Sequence, residues 1–124
     1  MMILVDTSIW IDHLRSDDPR LSALLKKRLV SMHPWIVGEL ACGTFTRRAE
    51  VLRMLKRLPA IPVARDQEVL FLIEHHKLMG TGIGWVDAQL VTAALASGVS
   101  LWTRDKRLIG AVGVLGVVYS PPVC

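Results

Sequence analysis

The sequence predicts a single α/β domain with a central parallel sheet and helices on both of its faces. Three observations lead to this prediction. Short apolar runs alternate along the chain with longer segments of helical periodicity. The runs are apolar throughout, which is typical of strands that are covered on both sides. A chain of 124 residues, 52% of them hydrophobic, is also large enough for one core. We therefore expect one domain at residues 1–120 and a tail at 121–124 that hangs free.

The predicted strands are short, and the first of them is expected near the middle of the sheet. Pro62 lies in a segment that is extended but short. The strands are predicted at 2–5, 29–32, 101–103 and 117–119, with the extended segment at 61–63.

The predicted helices begin at residues that favour helix starts. Asp6, Thr7 and Ser8 are good N-cap types before the first helix, and Pro19 and Pro34 suit the first turn of two others. After the first, the helices are predicted at 19–27, from 34 to the glycine at 43, at 46–58, from the cap Asp66 to near Gly80, from the region of 87 to Gly98, and at 106–115.

Charge and composition narrow the classes of function. The net charge is +4, from 15 basic and 11 acidic residues, which leans towards an anionic partner. No apolar run reaches the ~18 residues that a membrane span needs, and the chain opens on a strand-like run without a signal-peptide pattern. The two cysteines, Cys42 and Cys124, have no spacing typical of zinc sites or disulfide frameworks. We expect a cytoplasmic protein with no membrane partner.

Four acidic residues carry the functional prediction: Asp6, Glu39, Asp87 and Asp105. Asp6 and Asp105 follow predicted strands, whereas Glu39 and Asp87 lie in predicted helices. Ligands of open α/β sheets bind at the carboxyl ends of the strands, so the fold can bring the four side chains together there. Carboxylates packed at short range repel one another, and a divalent cation is the usual remedy because hard cations prefer oxygen ligands.

The motifs around these acids, in this order, resemble those of PIN-domain ribonucleases, specifically VapC-type toxins of bacterial toxin–antitoxin pairs. The matching segments cover nearly the whole chain, and each motif alone is weak. They are Val-Asp-Thr-Ser at 5–8, Ile-Val-Gly-Glu-Leu at 36–40, Gly-Ile-Gly-Trp-Val-Asp-Ala-Gln-Leu at 82–90 and Leu-Trp-Thr-Arg-Asp at 101–105.

The resemblance implies a metal-dependent endoribonuclease. Asp6 and Asp87 would be the principal ligands of Mg²⁺ or Mn²⁺, and Glu39 and Asp105 would bind a second ion or hold its waters. The ion would lower the pKa of a water that attacks an RNA phosphodiester. The resemblance also implies a protein antitoxin as partner and a homodimer, for which the helical surfaces at 8–27 and 46–58 are candidates.

Neighbouring residues are predicted to support the site. Ser8, with Thr7 as an alternative, is expected to support the carboxylates, and Thr103 is expected to hold Asp105 or a water by a hydrogen bond. RNA contacts are expected from basic residues that can hold phosphate and from an aromatic residue that can stack on an unpaired base. These are Arg104, Lys106, Arg107 and Trp85.

Every one of these residues also has a purely structural interpretation. Asp6 and Asp105 can serve only as N-caps, as can Thr7 and Ser8, and Asp87 is stabilised in the first turn of its helix regardless of catalysis. Strand propensity accounts for Thr103, a solvated basic face for the three cations, and a core position for Trp85. Glu39 can be a solvated helix residue, although its neighbours are apolar and a buried glutamate requires a partner.

Three other functions fit the same composition less well. A phosphoacceptor receiver domain needs adjacent acids after its first strand, but Asp6 stands alone there. A phosphatase with an aspartate nucleophile needs a second aspartate two positions later, where Ser8 lies. A nucleic-acid-binding domain without activity has no use for bare carboxylates, which repel phosphate.

Overall fold

The computed structural model describes residues 1–122 and confirms the α/β fold with a parallel sheet. The elements in order are β1 (Ile3–Val5), α1 (Thr7–Arg15), α2 (Pro19–Lys26), β2 (Val30–Ser31), α3 (Pro34–Ala41), α4 (Arg48–Lys56), α5 (Asp66–His75), α6 (Trp85–Ser97), β3 (Ser100–Trp102) and α7 (Lys106–Val112), followed by a short 3₁₀ turn at Gly113–Leu115. Of the predicted tail at 121–124, residues 123 and 124 lie outside the described part.

The sheet has β1 at its centre, with β2 on one side and β3 on the other. Both pairings are parallel. Single parallel bridges, Met32 to Ala60 and Leu101 to Val118, extend the sheet by one short segment on each side. Ile3, Leu4 and Val5 are all at most 3% exposed. Successive strand residues point to opposite faces, so both faces of the sheet are covered.

Four helix boundaries differ from the sequence prediction. Helix α4 starts at Arg48 because Arg47 is left-handed, with φ of 59°. Helix α5 begins at Asp66, whose predicted place as cap is taken by Arg65, because Glu68 accepts a hydrogen bond from the Arg65 amide at 3.2 Å. The same helix ends at His75, well short of residue 80. The seventh helix stops at residue 112 and gives way to the 3₁₀ turn.

The early end of α5 has a backbone cause. Lys77 adopts a left-handed conformation with φ of 53°. The amide of Leu78 then donates to the carbonyl of Ile73 at 2.9 Å, which is the bond that closes a helix in a Schellman motif. No glycine marks this position, so the sequence gives no sign of the stop.

The core also holds a polar contact between α6 and the segment before α5. The Gln89 side chain accepts a hydrogen bond from the Ala64 amide at 2.7 Å and donates to the Ala64 carbonyl at 3.0 Å. Both groups of the amide are thereby satisfied in the interior. This fixes α6, and with it the acidic residue in its first turn, against the sheet.

The chain near Pro121 packs against the rest of the domain. Pro121 is partly buried and shares a shallow cleft with Asp17 and Pro19, so the chain at this point lies against the start of α2. Cys42 is an exposed free thiol. None of the helices between residues 1 and 122 combines the length and the apolar character that spanning a bilayer requires.

Candidate active site

Asp6 lies where β1 ends and α1 begins. Its amide donates to the carbonyl of Trp102 at 2.9 Å, which joins the carboxyl ends of β1 and β3. One carboxylate oxygen, Oδ1, accepts from the Thr7 amide at 2.8 Å and caps α1. The other, Oδ2, accepts from the Thr103 hydroxyl at 2.8 Å. Asp6 therefore does cap its helix, and a second contact fixes the direction of its carboxylate.

Thr103 connects Asp6 with the next acidic residue along β3. Thr103 is buried, with only 5% of the residue exposed. The hydroxyl oxygen that donates to Asp6 also accepts from the Asp105 amide at 3.1 Å. The Asp105 carboxylate in turn accepts from the amides of Arg107 and Leu108, at 2.9 and 3.3 Å, and so caps α7. The predicted capping position of Asp105 is present in the structure.

Glu39 approaches the same region from α3, but it is exposed rather than buried. Ile36 and Leu40, one turn apart on α3, fill the core at 0% and 2% exposure, and Glu39 lies at the edge of that buried face. Its Oε1 accepts from the Thr7 hydroxyl at 2.8 Å. The contact ties the start of α1 to α3, two helices that pack against each other.

Asp87 occupies the first turn of α6, half-buried, with Oδ2 accepting from the Gly84 amide at 3.4 Å. Its pKa is raised above the ordinary value. Burial is the largest cause, and the negative charges of Asp6, Asp105 and Glu39 act in the same direction, against the Gly84 hydrogen bond. The four acidic side chains thus share one electrostatic environment at the carboxyl edge of the sheet.

Within residues 1–122, none of these four carboxylates forms an ion pair with a basic side chain. The ion pairs formed there use other carboxylates. Across the same residues, no three histidine, cysteine or acidic side chains are placed to hold one metal ion as they stand. The carboxylates are instead engaged by hydroxyl and amide donors of their own neighbourhoods, which neutralise little of the charge.

Replacing Asp87 by Asn is expected to stabilise the metal-free protein at neutral pH. Because the folded-state pKa of Asp87 is raised, its contribution to the free energy of unfolding is full below the unfolded value of about 3.8 and is lost as pH rises through the folded pKa. The asparagine side chain does not ionise, so the variant does not lose this part of the free energy of unfolding. Denaturant unfolding in chelator across a pH series measures the effect, with Asp17→Asn in the exposed turn as control. A less stable Asp87→Asn protein at neutral pH would contradict it.

Basic and aromatic side chains line the rim of the cluster. Arg107 passes over the loop that leads to Asp87: a Cβ built on Gly82 would lie 3.0 Å from its Cδ. Arg104 forms an ion pair with Asp12 of α1. Trp85 is 40% exposed two residues before Asp87, so it is not the core residue that its type suggests.

Comparison with known proteins assigns this arrangement to a family. The model of the PIN domain matches residues 3–113, which include all four acidic residues. The chain belongs to the PIN-domain family. The match decides against a receiver-like signalling domain, and the order of the elements in this PIN domain explains why acids so distant in sequence meet.

Individual relatives agree with this assignment. The PIN domain is 46% identical to Ribonuclease VapC32 of Mycobacterium tuberculosis over 98% of this chain and 99% of that protein. Among solved structures, VapBC-1 from nontypeable Haemophilus influenzae superposes with a TM-score of 0.73 at 15% identity, covering 97% of each chain. A toxin–antitoxin complex from Klebsiella pneumoniae gives a TM-score of 0.73 at 18% identity, with 98% and 99% covered. These two show that the fold is shared.

The supporting residues of this PIN domain differ in one respect from those expected. Thr103 was expected to hold Asp105 or a water; its hydroxyl accepts from the Asp105 amide and in addition donates to Asp6. The hydroxyl that contacts Glu39 belongs to Thr7, however, and Ser8 makes no hydrogen bond to the four carboxylates within the described residues. Helix geometry alone cannot reveal this, because the contact depends on how α1 packs on α3. The Arg107 contact with Gly82 was equally hidden, although two glycines before Asp87 do indicate a loop that another side chain can approach.

Proposed function

We propose that this PIN domain is a metal-dependent endoribonuclease that acts in the cytoplasm as the toxin of a toxin–antitoxin pair. The observation that carries the proposal is the uncompensated cluster of Asp6, Glu39, Asp87 and Asp105 at the carboxyl edge of the sheet. The 46% identity to a protein named as a ribonuclease, over nearly the full length of both chains, supports it.

The chemistry of the cluster fits a divalent cation. Four carboxylates offer hard oxygen donors, and within residues 1–122 none of them is paired with a basic side chain. We propose that Asp6 and Asp87 are the principal ligands, and that Glu39 and Asp105 bind a second ion or orient water. Mg²⁺ is the expected ion and Mn²⁺ an alternative, since both prefer oxygen ligands.

The residues around the carboxylates hold them in place for this purpose. Thr103 donates to Oδ2 of Asp6 while the Thr7 amide donates to Oδ1, so that the carboxylate is held in one orientation. Thr7 restrains Glu39 in the same way. When bound, a divalent ion lowers the pKa of water and stabilises charge on the leaving oxygen of a phosphodiester. Hydroxyl donors that fix carboxylate ligands raise the precision of such a site.

We propose that the rim residues hold the RNA. Arg107 lies against the Gly82 loop beside the cluster, and Lys106 is exposed next to it. Arg104 is anchored by Asp12 and can hold phosphate without losing its position. Trp85 exposes enough of its ring to stack on an unpaired base.

Cleavage of RNA by the purified chain tests this function. Structured RNAs are incubated with the protein in Mg²⁺, in Mn²⁺ and in excess chelator. We expect internal cleavage with either metal and none in chelator, with activity restored when metal is returned. Cleavage that survives complete chelation would contradict the metal-dependent mechanism, and no cleavage under any condition would contradict the ribonuclease function.

We propose an antitoxin protein as partner, seated beside Glu39. A cleft of about 310 Å³ opens there between α1 and the segment after α3. Its apolar lining suits an amphipathic helix. The solved structures with this fold include toxin–antitoxin complexes, which supports the proposal of an antitoxin partner. The lining residues are Ile11, Leu14, Leu40 and Phe45, with Arg15 and Glu39 among the polar ones.

We also propose a homodimer, formed through α5 and α6 rather than through the surfaces at 8–27 and 46–58 suggested by the sequence. Phe71 and Leu70 on α5 are 67% and 55% exposed, and Leu95 on α6 is 37% exposed. Exposed apolar side chains grouped in this way indicate an interface. Sedimentation of the full chain should show a dimer that Phe71→Glu converts to a monomer. A monomeric wild-type protein at micromolar concentration would contradict the proposal.

A further inference from the structure

Basic side chains at the ends of α2 and α4 are exposed and unpaired. The ion pairs between residues 1 and 122 engage four arginines, Arg20, Arg47, Arg65 and Arg104, and none of the cations in this group. The net charge of +4 is therefore unevenly distributed, with the acidic cluster in one place and free positive charge in another. We call the group the basic track; it comprises Lys26, Lys27, Arg28, Arg53, Lys56 and Arg57.

The arginines of the basic track line two adjoining clefts. Arg28 and Arg57 both line one of about 230 Å³, whose floor includes Val30 of β2. Arg57 also lines a cleft of about 430 Å³ along α4, together with Arg53 one turn earlier. A single side chain thus belongs to both clefts, and the three guanidinium groups follow one another along a continuous surface.

This surface runs along α4 to the segment that precedes β2. Helix α4 begins beside the end of α3, where Arg48 Nε donates to the Gly43 carbonyl at 3.1 Å, close in sequence to Glu39. The track ends at Arg28, two residues before β2 starts, at the amino edge. A phosphate backbone that enters the carboxylate edge could continue along α4 to this point.

Arg28 occupies a backbone conformation that favours glycine. Its φ is 59°, in the left-handed region. At the equivalent place after α6, the residue is Gly98, with φ of 67°. Glycine adopts this left-handed conformation without strain. A favourable charge at a helix C-terminus accounts for Lys26 and Lys56 within the last turns of their helices. The left-handed backbone of Arg28 closes α2 as that of Lys77 closes α5, because the Leu29 amide donates to the Leu24 carbonyl at 3.0 Å. An arginine at this position places its charge just beyond the end of α2.

We propose that the basic track is a second RNA-binding surface, which takes the phosphates of a structured RNA away from the point of cleavage. The inference rests on the proposed ribonuclease function. Unpaired guanidinium groups aligned along one surface are complementary to a phosphate backbone. A domain of this length is roughly 35 Å across, so a stem can reach the track while its loop lies at the carboxylates, whereas a short single strand cannot.

Paired substitutions test the surface. Arg28→Gln with Arg57→Gln removes two charges from the track, and Arg65→Gln with Lys77→Gln removes two charges elsewhere. The probes are a hairpin with a stem of about 16 base pairs, a length that double-stranded RNA-binding domains span, and a short single strand with the loop sequence. The dissociation constants of both RNAs are measured with the full chain, in Ca²⁺, over a series of monovalent salt concentrations.

The track variant should bind the hairpin about tenfold more weakly. The slope of the logarithm of its binding constant against the logarithm of salt concentration should become shallower by about one to two. Its affinity for the single strand should stay unchanged. The control pair should change both affinities by the same small factor. Equal losses from the two pairs would overturn the inference and leave the proposed function intact. A wild-type protein that binds neither probe and cleaves no RNA would overturn both.

Glycine substitutions separate binding from folding. Arg28→Gly and Lys77→Gly each relieve a left-handed backbone and should each raise the thermal midpoint. Only Arg28→Gly should weaken hairpin binding, so that a more stable protein binds its substrate less well. If both variants bind the hairpin as wild type does, Arg28 has no part in RNA recognition and the track is overturned.

Discussion

Replacing Asp6 by Asn is expected to reduce RNA cleavage by at least about 100-fold, since loss of a residue that merely supports a metal ligand costs about 10–100-fold. The asparagine oxygen can still accept from the Thr7 amide, and its NH₂ group can donate to the Thr103 hydroxyl oxygen in place of the bond that Asp6 accepts there, so the fold and the helix cap should persist. What is lost is one of the proposed carboxylate ligands and a quarter of the negative charge in the cluster.

The measurement is kcat/KM for RNA cleavage in Mg²⁺, together with the thermal midpoint. Asp17→Asn is the matched control, because it removes an exposed carboxylate in the turn before α2. If the Asp6→Asn protein cleaves RNA with the kcat/KM of wild type, Asp6 does not belong to the site, whether or not the thermal midpoint has changed.

Thr103→Val should reduce cleavage by about 10–100-fold, the range typical of residues that hold a ligand in place. Valine keeps the shape and the strand preference of threonine but deletes the hydroxyl. Asp6 Oδ2 then loses its donor and the Asp105 amide loses its acceptor, both in a partly buried environment. Thr103→Ser retains the hydroxyl and should recover most of the activity.

A positioning role predicts more than lost activity. The Mg²⁺ concentration at half-maximal rate should rise in Thr103→Val and return towards wild type in Thr103→Ser. If both variants lose activity equally with an unchanged Mg²⁺ requirement, Thr103 matters only for packing.

Local chemistry made much of the fold predictable from the sequence. Buried apolar runs placed β1, β2 and β3 to within a residue or two, and the proline residues at 19 and 34 placed the starts of α2 and α3. The stop of α5 and the start of α4 were missed because Lys77 and Arg47 adopt left-handed backbone without the glycine that usually reveals it.

The candidate site shows a similar limit. The acidic residues could be found because each stands at the end of an apolar run or in a distinctive motif. Which hydroxyl meets which carboxylate could not be found, because that depends on side-chain directions after α1 has packed on α3. Thr7 reaches Glu39 across 32 positions in sequence, and no local pattern encodes such a pair.

The hydrogen bond between Thr103 and Asp6 joins residues 97 positions apart. During synthesis, Asp6 and Glu39 therefore leave the ribosome long before the hydroxyl that orients Asp6 and the carboxylate of Asp105 exist. Because β3 must dock against β1 to form this contact, an incomplete chain carries part of the acidic cluster without its arrangement. The topology delays assembly of the site until β3 and the residues after it have been made, which is a useful property in a chain whose proposed substrate surrounds it as it is translated.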